Sequence, residues 1–225
     1  MDFDLLLRRA RLFHGVDDEA LGALARVAVQ RSFERGERIC RQDELKPGIF
    51  VVARGSARAL VGSEDGREHV TRLLASGDAF ADMATLGNFP CPASVEATES
   101  MKALFLSSPR IDQWLLDHPL ACRQVLTNTA TEAGRLIRQI TRLTLLNAHS
   151  RVAQFLLERD GSVRWGKRHV ASYLGLTSET FSRVLRKLIE ARLIEAPPDE
   201  DVRILDLEGL RAVSMGHEIP ERAVA

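Results

Sequence analysis

Residues 3–12 and 17–27 carry apolar positions at helical spacing, and Asp17 or Asp18 stands where it can cap the second segment. From Val29 the period shortens. Apolar runs at 38–40, 49–53, 58–61, 69–74, 93–97 and 101–106 alternate with breaks at Arg35-Gly36, Pro47-Gly48, Arg54-Gly55, Asp65-Gly66 and Ser76-Gly77-Asp78. Short strands at this spacing predict an antiparallel sandwich or barrel. Pro109 fits the first turn of a short helix through Leu116, which His118-Pro119 breaks.

Residues 120–146 then form a long predicted helix with Gly134 as its one glycine. Leu126, Ala130, Ala133, Ile137, Ile140 and Thr144 are spaced 4, 3, 4, 3, 4, the seam of a coiled coil. A core helix buried within one subunit would also be apolar on one side. The length, the small seam residues and the surrounding Arg135, Arg138 and Arg142 favour a homodimer contact instead. Asn147 and His149-Ser150 read as a hinge or cap. A further helix over 151–159 places Val152, Phe155 and Leu156 on one face, Asp160-Gly161 ends it, and Val163 and Trp165 suit a short strand.

The stretch 167–191 has the most specific pattern. A first helix would bury Val170, Ala171 and Leu174. Gly175 supplies a turn at which a positive φ is tolerated, and Leu176 would plug the corner. Thr177 caps a second helix. There Phe181, Val184, Leu185 and Leu188 share one face, while Ser178, Glu179, Ser182, Arg183 and Arg186 occupy the other. Glu179 and Arg183 are four apart and therefore adjacent. Arg183 can pair with guanine O6 and N7, Glu179 can accept from cytosine N4, and Arg186 and Lys187 can reach phosphates. Residues 193–195 and 202–205 flank Pro197-Pro198-Asp199 as a hairpin wing. A salt-bridged αα-hairpin is the plainer alternative. The turn, the cap, the facial split and the wing together favour a winged helix-turn-helix on double-stranded DNA.

Zero net charge hides an uneven distribution. Residues 148–194 hold nine basic and four acidic side chains, and residues 195–225 hold three and eight. A local basic stretch is the footprint of phosphate contact. No P-loop, G-x-S-x-G, H-E-x-x-H or Cys/His metal set occurs, so nothing points to an enzyme. Without an apolar run of membrane-spanning length or a signal-peptide core, a cytoplasmic protein with no membrane partner is expected. Cys40, Cys91 and Cys122 lie far apart and make no C-x-x-C pair, which fits a reducing compartment.

These motifs resemble the family of the cyclic-AMP receptor protein and the fumarate–nitrate reduction regulator (CRP/FNR), over nearly the whole chain. The resemblance rests on Glu179-Thr180-x-x-Arg183 and on the Arg-Val-Ala-x-x-Leu-Leu phrase from Arg151 to Leu157. It implies an α+β, two-domain fold: a cyclic-nucleotide-binding-like β-roll of the double-stranded jelly-roll type at 1–118, a dimerisation helix at 119–147 and a winged helix-turn-helix at 148–225. Glu179-Thr180-Phe181-Ser182-Arg183 is similar to the Glu-x-x-Ser-Arg version of the fumarate–nitrate branch. That similarity implies TTGAT-like half-sites in an inverted repeat, with Thr177, Ser178, Glu179, Ser182, Arg183, Arg186 and Lys187 at the DNA. An activator that contacts RNA polymerase is also implied.

For the effector, the resemblance directs attention to Phe80, Ala81, Asp82, Met83, Ala93 and Ser94. Cyclic-AMP binders of the family carry Phe-Gly-Glu-Leu and then Arg-Ser. Here Phe80-Ala81-Asp82-Met83 and Pro92-Ala93-Ser94 offer no cation for a cyclic phosphate, which argues against cyclic AMP. An iron–sulfur cluster lacks its clustered N-terminal cysteines. Phe80-Ala81-Asp82-Met83 is more similar to the phrase of the dissimilatory nitrate respiration regulators, which implies haem and nitric oxide sensing, although the histidines form no haem motif. An effector-independent regulator set by its abundance stays open. So does a cyclic-nucleotide-binding module that controls an enzyme or channel, which would need the missing phosphate-binding Arg.

Overall fold

The computed structural model describes residues 3–45, 48–62, 68–158, 166–197 and 202–219. Pro47, Asp65-Gly66, Arg159, Asp160-Gly161, the strand expected at Val163 and Trp165, and the hairpin tip at Pro198-Asp199 lie outside them. The chain divides into two compact units, 1–135 and 136–225.

The first unit opens with α1 (Phe3–Arg9), a 3-10 turn (Arg11–Phe13) and α2 (Asp18–Val27). The first segment was expected as one helix to residue 12. It stops at Arg9 because Ala10 is extended, at φ −71 and ψ 128. Asp17 caps α2, its carboxylate accepting from Ala20 N at 2.9 Å.

Among the described residues eight strands follow: β1 (Val29–Phe33), β2 (Arg38–Cys40), β3 (Ile49–Arg54), β4 (Ala57–Gly62), β5 (Glu68–Leu74), β6 (Ala79–Phe80), β7 (Ser94–Ala97) and β8 (Met101–Leu106). They form two antiparallel four-stranded sheets, ordered β1-β8-β3-β6 and β2-β7-β4-β5. The short helix α3 (Asp82–Gly87) sits between β6 and β7.

Strand β3 explains how this unit is layered. Its Ile-Phe-Val-Val run is buried at every position because the strand is covered on both faces. Phe50 and Val52 join the core between the sheets, with Ala57, Ala59, Leu74, Val95 and Ala103. Ile49 and Val51 face the other way. They pack with Leu104 and Leu106 of β8 against α1, α2 and α4 (Ser108–Asp117) and against Ala121 and Val125 of α5 (Pro119–Leu145). Trp114 of α4 locks this helical layer, donating from Nε1 to Ala20 O at 2.7 Å while packing edge-on against Phe13.

The 27-residue α5 contains the cut between the units. The second unit continues with α6 (Ala148–Glu158), α7 (Lys167–Tyr173), α8 (Ser178–Glu190), the hairpin β9 (Ile194–Glu195) and β10 (Arg203–Ile204), and α9 (Leu207–Ser214). Asn147 does cap α6, its side chain accepting from Ser150 N at 2.9 Å. His149 and Ser150, expected in the hinge, lie inside the helix. Ser150 is fully buried and donates to Val213 O of α9 at 2.8 Å. The architecture is a two-domain α+β fold with a sheet-rich N-terminal domain, a long helix and a C-terminal helix-turn-helix.

Candidate nucleic-acid interface

Helix α7 turns into α8 through a glycine-terminated cap. Gly175 has φ +63; its N–H bonds Ser172 O at 3.0 Å, and Leu176 N–H reaches back to Ala171 O at 2.9 Å. Two residues on, Thr177 Oγ1 accepts from Thr180 N at 3.1 Å and starts α8. Five polar backbone groups at this corner are thereby satisfied within the ten residues 171–180. The corner buries Val170, Ala171 and Leu174, while Leu176 is half-buried.

Helix α8 is split along its length. Phe181, Val184, Leu185 and Leu188 are buried, and Phe181 and Leu188 are fully so. Thr177, Ser178, Glu179, Ser182, Arg183, Arg186 and Lys187 are all exposed. The sequence-predicted DNA residues therefore share one solvent-facing side of α8 and its cap. Beyond the helix, β9 and β10 pair Ile194 with Ile204 and Glu195 with Arg203. The Glu195 and Arg203 side chains form an ion pair at 3.7 Å.

Sequence reasoning missed how the corner is anchored. Arg151 of α6 donates from Nε to Leu146 O at 2.9 Å and from Nη1 to Leu174 O at 2.8 Å. One guanidinium thus ties the chain after α5 to the turn before α8. A rigid five-donor fork suits this bridging of two carbonyls better than a lysine would. Arg142 of α5 adds an ion pair to Glu158 of α6. The packing of α9 on α6 was also missed.

His149 lies half-buried on α6. Burial pushes its pKa below the usual 6.5, and the charges of Lys187 and Arg183 push it further down.

The residues suggested as an effector site lie in or beside β6, α3 and β7. Phe80 is buried and stacks on Phe50, with ring centroids 5.0 Å apart. Asp82 is buried near Arg72, at 4.0 Å. Ser94 is buried, its hydroxyl accepting from Gln42 N at 2.9 Å. Ala81, Met83 and Ala93 are half-buried, and Ala81 adopts φ +58 at the start of α3. A cleft of about 270 Å³ opens beside Asp82, between the N-terminal segment, the end of β5 and α5. Arg11, His14, Arg72, Asp78, Glu132 and Arg135 border it. Arg72 reaches Glu132 at 3.6 Å. No group of three His, Cys, Asp or Glu among the described residues could hold a metal ion, and no described helix is long and apolar enough to cross a membrane.

Comparison with known proteins agrees with this division. Residues 30–118 match the cyclic nucleotide-binding domain, and residues 150–213 match the Crp-like helix-turn-helix domain. The cyclic AMP receptor protein of Thermus thermophilus is 27% identical over 197 residues, 85% of this chain and 91% of that protein. The transcriptional activator protein FnrA of Stutzerimonas stutzeri is 26% identical over 200 residues, 83% and 80% of the two chains. The structure of FixK2 from Bradyrhizobium japonicum superposes with a TM-score of 0.77 at 24% identity, covering 85% of this chain and all of that one, which shows the shared fold.

Two outcomes are expected from this geometry. Gly175→Ala forces a Cβ into a left-handed position, 3.2 Å from Arg151 Nη1 and from Leu143 Cδ2. Urea unfolding of residues 136–225 should lose about 1–2 kcal/mol; unchanged stability would contradict the strain. For His149 the folded state resists protonation more than the unfolded chain does. Stability is complete at neutral pH and is lost as pH falls below 6.5, because the unfolded chain takes up a proton that the folded one resists. In a stability–pH profile, His149→Gln should flatten that acid-side fall, and an identical profile would show that the histidine is not its source.

Proposed function

Since this chain belongs to the CRP/FNR family of transcription regulators, we propose that it binds an inverted repeat of TTGAT-like half-sites as a homodimer and activates transcription in response to a signal received by its sheet-rich unit. The observation that carries this reading is the split of α8: a fully buried apolar face obliges Glu179, Ser182 and Arg183 to face outward together from a capped helix. That side enters the major groove. Arg183 pairs with guanine, Glu179 accepts from the paired cytosine, and Ser182 meets a neighbouring thymine. Thr177 and Ser178 approach the groove at the N-terminus of α8, where backbone N–H groups favour a phosphate. Arg186 and Lys187, both exposed, contact phosphates.

The homodimer follows from the outward side of α5. Leu126, Ile137 and Ile140 are 69%, 65% and 61% exposed, and Ala130, Ala133 and Thr144 are exposed with them. Large apolar side chains recurring at a coiled-coil spacing are stabilised by a second copy of the same helix. A dimer presents two α8 helices, and two helices require a repeated site. Contact of the bound dimer with RNA polymerase completes the activator reading. The cleft beside Asp82 supports a sensed signal, because α5 itself supplies part of its lining. Haem is not the ligand proposed for it. One observation favours the second reading, a regulator controlled by abundance: Phe80, Asp82 and Ser94 are already engaged by the protein.

Selection of bound duplexes from a random pool tests the target. The purified chain should enrich an inverted repeat of TTGAT-like half-sites about one helical turn apart. Arg183→Ala should cost about 1–3 kcal/mol on that site and relax preference at one base pair of each half. Enrichment of a single half-site would contradict the dimer, and an equal loss on all sequences would reduce Arg183 to a phosphate contact. Full affinity of the ligand-free dimer would favour control by abundance.

A further inference from the structure

Cys40 and Cys91 are far apart in the chain and meet because of sheet register. Cys40 ends β2, opposite Val95 of β7 at an irregular step in the pairing. Asp43 N donates to Cys91 O at 2.8 Å, and Cys91 N donates to Glu44 O at 2.9 Å. The segment leaving β2 is thereby stitched to the segment entering β7. Both cysteines are buried beside this stitch, at 2% and 1% exposure. Both belong to the core between the sheets, with Phe50, Phe80 and Ala84. Cys122, on α5, is exposed.

We propose that Cys40 and Cys91 are a redox-active pair that closes a reversible intrachain disulfide when a peroxide reaches the interior of the sheet-rich unit. The environment orders the two steps. Burial pushes the Cys40 thiol up to about 12 and raises Cys91 as well, an effect that Cys40 partly offsets at Cys91 but not at itself. Cys91 is therefore the first nucleophile. Its thiolate attacks one peroxide oxygen, the O–O bond breaks, and a sulfenic acid forms on Cys91. The departing hydroxide takes the proton that Cys91 released and becomes water. The Cys40 sulfur then attacks the Cys91 sulfur and breaks the S–O bond. That second hydroxide takes the Cys40 proton, and the S–S bond is complete. Two thiols lose two electrons, and one peroxide becomes two waters.

Burial also raises Cys91, which keeps the pair protonated and slow at rest. Oxidation then depends on opening of the exposed stretch 43–45, whose backbone bonds clasp Cys91. The cross-link joins β2 to the approach of β7 beside Phe80. It constrains the unfolded chain and so raises the thermal midpoint of this unit.

The test uses the full chain carrying Cys122→Ser, at an exposed position, so that the two remaining thiols belong to the pair. The folded protein is held overnight in millimolar hydrogen peroxide, alkylated, and read by thiol titration, by mass spectrometry of unreduced peptides and by thermal melting. The expected result is loss of both thiols, a peptide joining Cys40 to Cys91, and a higher melting midpoint. Dithiothreitol should reverse all three. Two thiols still titratable in the folded protein, a disulfide that forms only in urea, or Cys91 carried to sulfinic acid without joining Cys40 would each overturn the proposal.

Discussion

Phe181, Val184, Leu185 and Leu188 have to leave water, and α8 has one side on which to bury them. Burying an apolar side chain of this size is worth about 1.5–3 kcal/mol. The four together fix the rotation of α8 about its own axis. Everything exposed on the helix follows from that rotation. Glu179, Ser182 and Arg183 face solvent because the positions between them do not. A one-residue slip would bury a guanidinium and expose Phe181, at a cost far above any gain.

The start of α8 is held as firmly as its rotation. The cap at Gly175 stops α7, the Thr177 cap begins α8, and Arg151 joins the corner to Leu146 O after α5. The same logic of two-sided burial organises the other unit. Strand β3 divides its side chains between the sheet-to-sheet core and the helical layer, and β8 follows it through the pairs Phe50–Phe105, Val51–Leu104 and Val52–Ala103. Helix α5 begins in that helical layer through Ala121 and Val125.

What was legible in the sequence was local. The helix-turn-helix announces itself within about 25 residues, because i, i+3, i+4 spacing, a turn glycine and a capping hydroxyl act over one or two turns. Strands β2 and β8 were readable as bounded apolar runs. Strand β1 was not. Its residues are exposed or half-buried on a sheet edge, and its backbone bonds come from β8. Strand β6 has two residues, too few for any period, and α3 starts from the left-handed Ala81, which no local signal requires. Phe80, Asp82 and Ser94, suggested as ligand contacts through resemblance, touch Phe50, Arg72 and Gln42, long-range contacts that no local pattern reveals. The meeting of Cys40 with Cys91 depends on a strand pairing that spacing does not reveal. Arg151 was visible as a charge, but its role as a bridge depends on the packing of three helices.

Dimethyl sulfate probing of the protein–DNA complex tests the central claim most directly, because it reports guanine N7 in the major groove and adenine N3 in the minor groove. If the outward side of α8 occupies the major groove, the guanines of both half-sites are protected at N7 in a twofold-symmetric pattern, and Arg183→Ala restores their methylation. Protection confined to adenine N3, or guanine protection that survives the loss of Arg183, would contradict the account.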